Sequence, residues 1–122
     1  MTYPVFLQLE DKAALVVGGG RVAERKVETL ICCGASIRII SRELTEKLKD
    51  LINSNEVRFL GEEMRAEFLD DVFIVITATD NKDLNSRVSE MARNRGLLVN
   101  AVDQPADCNF IVPSIVRKGD LT

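Results

Sequence analysis

Three consecutive glycines, Gly18-Gly19-Gly20, follow the apolar run Ala13-Ala14-Leu15-Val16-Val17 and precede a stretch with apolar residues at helical spacing. A short run with no polar face reads as a strand buried on both sides, the kind found chiefly in parallel sheets. The glycines then strip every side chain from the turn that follows. From Val22 to Cys33, the residues Val22, Ala23, Val27, Leu30 and Ile31 form one apolar helical face, and Gly34 supplies the stop. Buried strand, bare turn and amphipathic helix form the first half of a β-α-β unit.

The rest of the chain repeats that alternation. Ser36–Ile40 reads as a second strand, and a polar helix from Thr45 to Asn53 carries Leu44, Leu48, Leu51 and Ile52 on one side. Val57–Leu60 alternates as an edge-type third strand, and the charged stretch Glu62–Leu69 is expected to be a short helix. Val72–Ala78 is β-branched and almost wholly apolar. It ends at Thr79-Asp80-Asn81, which has turn and N-cap chemistry for a helix from Lys82 to Arg95, closed by Gly96. Leu97–Val102 is the fifth strand, ending at Asp103. Phe110–Val112 and Ile115-Val116, interrupted by Pro113, form a sixth extended segment. Val5–Leu9 is expected as a short lead-in strand, with a turn at Glu10-Asp11-Lys12. The fold class is α/β: a Rossmann-type, doubly wound parallel sheet with right-handed crossovers and strand order 3-2-1-4-5-6.

Gly18-Gly19-Gly20-Arg21-Val22-Ala23 fits G-x-G-x-x-A at the junction of strand and helix. Gly18 allows the tight turn, Gly20 lets the main chain approach a pyrophosphate, and small Ala23 lets helix and strand pack closely. The free N–H groups of Arg21 and Val22 then face the phosphates, aided by the helix dipole. The bland alternative is a flexible turn, but matching flanks favour NAD or NADP binding. After the second strand, an acidic residue would ordinarily hold the adenine ribose; here the residues are Ser41-Arg42-Glu43. Arg42 with Ser41 suits a 2′-phosphate and hence NADP. Glu43 lies a little late but suits the ribose of NAD. Residue chemistry leaves this choice open.

Ligands of open α/β sheets sit outside the carboxyl ends of the strands. Thr79 and Asp80 are candidates there for the nicotinamide side, and equally for a helix cap. Asn100 and Asp103 belong to the same end. Asp103 follows an apolar strand, precedes a Pro105 turn and has no basic neighbour in sequence. A partly buried carboxylate there would hold a proton more readily and serve as an acceptor near neutral pH, while a turn-capping aspartate is the plain alternative.

The chain has no histidine and three cysteines, Cys32, Cys33 and Cys108. No Cys-x-x-Cys pair offers zinc ligands, so no metal site is expected and the thiols read as reduced, in or near the core. A net charge of −3 argues against nucleic acid as a partner. No apolar run reaches the roughly 18 residues of a membrane span. Met1-Thr2-Tyr3-Pro4 lacks the pattern of a signal peptide, so a cytoplasmic location without a membrane partner is expected.

Several separated motifs then point further: Pro4–Leu9, Val17–Lys26, Thr77–Asn81 with Asn85, Val99–Asp103 and Cys108–Val116. Together they resemble the siroheme synthase N-terminal domain, the precorrin-2 dehydrogenase family, over nearly the whole chain. The resemblance implies NAD-dependent oxidation of precorrin-2 to sirohydrochlorin in siroheme or cobalamin biosynthesis, with ferrous iron insertion in some members. It puts Arg21, Val22, Arg42 and Glu43 on cofactor-binding positions and Asp103 on the catalytic aspartate, and favours NAD. Arg87, Arg93, Arg117 and Lys118 are candidate counter-charges for the anionic tetrapyrrole. The expected division is an NAD(P)-binding domain over 1–117, with 118–122 opening a C-terminal region for homodimerisation and substrate enclosure. Without that region the chain is expected to bind cofactor more readily than it turns over substrate. The competing function is a non-catalytic NAD(P)-sensing module, which has no chemical use for the segment Asn100–Asp103.

Overall fold

A computed structural model describes residues 3–110. The strands are β1 (Ala13–Val17), β2 (Ser36–Ile40), β3 (Val57–Gly61), β4 (Ile74–Thr77) and β5 (Leu98–Ala101). The helices are α1 (Arg21–Cys32), α2 (Glu46–Asn53) and α3 (Lys82–Asn94), with short 3-10 turns at Ala66–Leu69 and Pro105–Asp107. All strand pairs are parallel, in the order β3-β2-β1-β4-β5. The five described strands thus follow the expected order. The expected sixth segment lies, from Ile111 onward, outside the described residues.

Alternation along the strands divides the core in two. Ala14 and Val16 of β1 join Ile37, Ile39, Ile74 and Ile76, and meet Ala23, Val27 and Leu30 of α1 and Leu48 and Leu51 of α2. Leu15 and Val17 point the other way, with Ile40, Val75 and Val99, onto Val88 and Ala92 of α3. Both faces of β1 are therefore covered, which is why its sequence shows no polar alternation. Covering both faces also leaves the carboxyl ends of the strands as the open rim.

The lead-in strand expected at Val5–Leu9 is not formed. Leu9 is buried, but Val5 and Phe6 are 62 % and 92 % exposed, and the segment pairs with no strand among the described residues. The segment has no ladder to join among the described residues, and a lone strand cannot satisfy its own backbone. The stretch from Glu62 folds only as the 3-10 turn Ala66–Leu69. Cys32 and Cys33 are exposed at the end of α1, against the expectation of core thiols; Cys108 is half-buried.

The outer edge of β5 is closed by a side chain. The Val99 N–H donates to Asn109 Oδ1 at 2.7 Å, and Asn109 Nδ2 donates to the Leu97 carbonyl at 2.6 Å. The Asn109 N–H donates to the Val99 carbonyl at 3.1 Å. Among the described residues, this one side chain stands in for a strand partner along β5.

Candidate functional site

β1 has β2 on one side and β4 on the other, so the connections leave its carboxyl end in opposite directions and open a crevice there. A cleft of about 710 Å³ fills it. Its floor is Val17 and the glycine turn 18–20; one wall is Ile40 with residues 41–45, and the other is Ala78–Asn81. That volume is ordinary for a small-molecule or cofactor site.

The three glycines have different reasons to be glycine. Gly18 has φ +135, and a Cβ there would run into the Ala78 carbonyl. A Cβ on Gly19 would run into the Glu43 carbonyl. Gly19 is further tied to that loop because its carbonyl accepts the Thr45 N–H at 3.0 Å. These two glycines let β1, β2 and β4 close together at the rim. A Cβ on Gly20 would meet nothing within 4 Å. Among the described residues no packing needs Gly20 to be bare, and Gly20 lines the cleft, where a missing side chain leaves room for a close main-chain approach. Gly18→Ala and Gly19→Ala are each expected to cost about 2–5 kcal/mol, lowering the melting temperature by roughly 10–20 °C. Thermal unfolding followed by circular dichroism checks this.

Helix α1 starts at this turn. α2 and α3 are capped by side chains: Thr45 Oγ1 accepts from Leu48 N–H, and Asn81 Oδ1 from Leu84 N–H. Gly20 gives α1 no side-chain cap. The N–H groups of Arg21, Val22 and Ala23 have no acceptor among the described residues. Open donors and the positive end of the helix dipole suit a pyrophosphate. Arg21 and Val22 are exposed and Ala23 is fully buried in the core, as its packing role demands; their side chains are not part of the cleft lining. What they offer a ligand is backbone.

Ser41, Arg42 and Glu43 line the cleft. Ser41 Oγ donates to the Glu43 carbonyl and accepts the Glu43 N–H at 3.3 Å, so this hydroxyl shapes the turn. Arg42 Nη2 lies 2.8 Å from Glu63 Oε1. Glu62, Glu63 and Met64, from the loop after β3, together with Leu84, Arg87, Val88 and Met91 of α3, complete the walls. Of these only Arg87 had been singled out, and for a different ligand. The signals were the carboxyl end of β3 and the 84, 87/88, 91 helical spacing.

Thr79 and Asp80 also line the cleft, and Asn81 is the helix cap. Behind Thr79 lies a polar relay centred on Asn85, which is 2 % exposed. Asn85 Oδ1 accepts from Thr79 Oγ1 at 2.6 Å and from Thr79 N–H at 3.2 Å, and Nδ2 donates to the Thr79 carbonyl at 2.9 Å. The second Nδ2 hydrogen goes to Gln104 Oε1 at 2.9 Å. Gln104 Nε2 continues to Asp107 Oδ2 at 2.8 Å. Hydrogen bonds from Ser86 and Gln104, with the Arg93 charge nearby, hold the Asp107 carboxyl below its ordinary range. The relay fastens the turn after β5 to the turn after β4.

Asp103 stands on that turn with φ 62, a left-handed conformation that aspartate tolerates better than most residues. It is exposed rather than partly buried, correcting the expectation, because it sits on a surface turn beyond the end of β5. It is absent from the cleft lining, although its neighbour Gln104 is joined through Asn85 to Thr79 on the cleft wall. Among the described residues, no three His, Cys, Asp or Glu side chains converge as a metal-holding group. Nor is any helix there long and apolar enough to cross a membrane.

The chain is similar in sequence and fold to several known proteins. Siroheme synthase 1 of Serratia proteamaculans is 44 % identical over 118 residues, covering 97 % of this chain and 25 % of the relative. Siroheme synthase of Methylobacillus flagellatus is 42 % identical over 120 residues, covering 98 % of this chain and 26 % of the relative. The chain therefore spans about a quarter of the length of these relatives. Among solved structures, SirC, a precorrin-2 dehydrogenase, superposes with a TM-score of 0.83 at 26 % identity, over 98 % of this chain and 59 % of that one. The D-lactate dehydrogenase of Escherichia coli shares the fold alone, with a TM-score of 0.62 at 11 % identity over 84 % of this chain and 32 % of that one. A family model described as putative NAD(P)-binding matches residues 5–114, and the chain belongs to that family.

Proposed function

We propose that this chain is the NAD-binding part of a precorrin-2 dehydrogenase, oxidising precorrin-2 to sirohydrochlorin on the way to siroheme. The observation that carries the reading is the cleft at the glycine turn, with Gly20 bare in its lining and the α1 donors open. Likeness to siroheme synthases and to SirC supports the substrate. NAD is favoured over NADP because Glu43, Glu62, Glu63 and Asp80 outnumber Arg42 and Arg87 in the lining. A surplus of acids repels a 2′-phosphate and leaves carboxylates to accept ribose hydroxyls.

When bound, NAD supplies the hydride acceptor. The chain's own groups do the rest. The N–H groups of Arg21 and Val22 would hold the pyrophosphate of NAD, and Thr79 and Asp80 on the cleft wall would serve its nicotinamide side. Asp103 takes the proton that leaves as the macrocycle gains conjugation, its carboxylate standing at the carboxyl end of β5 where an incoming tetrapyrrole reaches it. Arg87, on the cleft wall, and Arg93, half-buried against Asp107, remain candidate counter-charges for substrate carboxylates; Arg117 and Lys118 lie outside the described residues. Enclosure of the tetrapyrrole and homodimerisation belong to the region that we place after residue 117, and the location is cytoplasmic.

The test is oxidation of precorrin-2 followed by absorbance, with NADH formation measured in parallel. One NADH per sirohydrochlorin, from a chain extended to include the region beyond residue 117, is the expected result. Tight NAD binding with no oxidation by that longer protein would favour a nucleotide-sensing module instead.

A further inference from the structure

The motif around β1 says nothing about Glu63, forty-three residues beyond Gly20 in the sequence, yet the fold brings it to Arg42, the arginine that, among the described residues, lines the cleft beside β2. Arg42 follows β2, Glu63 follows β3, and the two strands are parallel neighbours, so their carboxyl-end loops lie side by side. Arg42 Nη2 meets Glu63 Oε1 at 2.8 Å, with both side chains 73 % exposed. Resting on the reading of the cleft as a nucleotide site, we propose that Glu63 determines nucleotide preference by occupying Arg42 and denying it to a 2′-phosphate.

The physical reason is competition between two anions for one guanidinium. A phosphate monoester carries about −1.5 to −2 charges near pH 7 and would ordinarily win a planar arginine fork. Here its competitor is tethered to the same molecule and needs no bimolecular encounter, which raises its effective concentration. A nucleotide with a 2′-phosphate must displace Glu63 and then lie between that released carboxylate, Glu62 and Glu43. A nucleotide with a free 2′-hydroxyl meets none of these penalties. Because the ion pair is exposed, it is weak, and the effect is one of moderate selectivity. Ser41, which might otherwise help hold a phosphate, is engaged with the Glu43 backbone.

The experiment is calorimetric titration of the 122-residue chain and its Glu63→Gln variant with NAD and NADP. The preference is expected to move toward NADP by about three- to tenfold, with a steeper salt dependence of NADP binding. In the Arg42→Ala/Glu63→Gln double variant that gain disappears, because the freed guanidinium is its source. An unchanged preference in Glu63→Gln, or a gain that survives loss of Arg42, overturns the proposal while leaving the nucleotide site intact. Wild-type protein that binds neither nucleotide overturns the site itself, and the inference with it.

Discussion

Gly20→Asp is expected to leave the chain folded, with a melting temperature at or above that of the parent, while NAD affinity falls by roughly a hundredfold or more. The two effects have opposite signs and one cause. Gly20 is the N-cap of α1, in extended geometry at φ −87, and contributes no side-chain acceptor. Aspartate is among the best N-caps, and gains about 0.5–1 kcal/mol from the open N–H groups and the helix dipole. A Cβ at this position meets nothing within 4 Å, so the fold accommodates it. On the proposed reading, the same carboxylate then consumes donors that would hold the pyrophosphate and adds a like charge beside it. Thermal melts paired with calorimetric titration read both effects. A variant that is stable and still binds NAD normally would show that the pyrophosphate does not approach Gly20.

Asp103→Asn is expected to slow precorrin-2 oxidation by about 10²–10⁴-fold while leaving NAD affinity unchanged. The amide keeps the shape and the left-handed turn at φ 62, since asparagine tolerates that region as well as aspartate does. What it loses is the ability to accept a proton. Because Asp103 lies outside the cleft lining, nucleotide binding has no reason to change. Single-turnover absorbance on the longer protein, with titration of NAD alongside, separates the two quantities. Near-normal turnover would remove Asp103 from the proton-transfer step.

How legible each part was follows from how local its cause is. β1 and β2 have the bounds that the residues imply, because each is a short apolar run closed by glycine or a polar turn. The capping asparagine of α3 and the turn at Gly34 were equally local. The lead-in strand failed because strand formation needs a partner elsewhere, which the apolar run at residues 5–9 cannot announce. The edge of β5 held the reverse surprise. Asn109, a residue with no strand propensity, closes the ladder through its side chain.

The site divides the same way. The need for glycine at Gly18, where the chain turns tightly at φ +135, was readable from the motif. Gly19 was not, since its need for glycine comes from Glu43 on the next loop. The Glu62–Met64 wall and the Arg42–Glu63 pair depend on two parallel strands ending side by side. No run of consecutive residues encodes that. Asp103 was placed at the correct end of the correct strand, but its exposure depends on a backbone turn that composition does not announce. The Asn85–Gln104 relay was likewise invisible until α3 and the turn after β5 came together.

Titration of the purified 122-residue chain with NAD tests the central claim most directly. A single saturable site, with NAD bound more tightly than NADP, is the predicted result. A folded chain that binds neither nucleotide would contradict it.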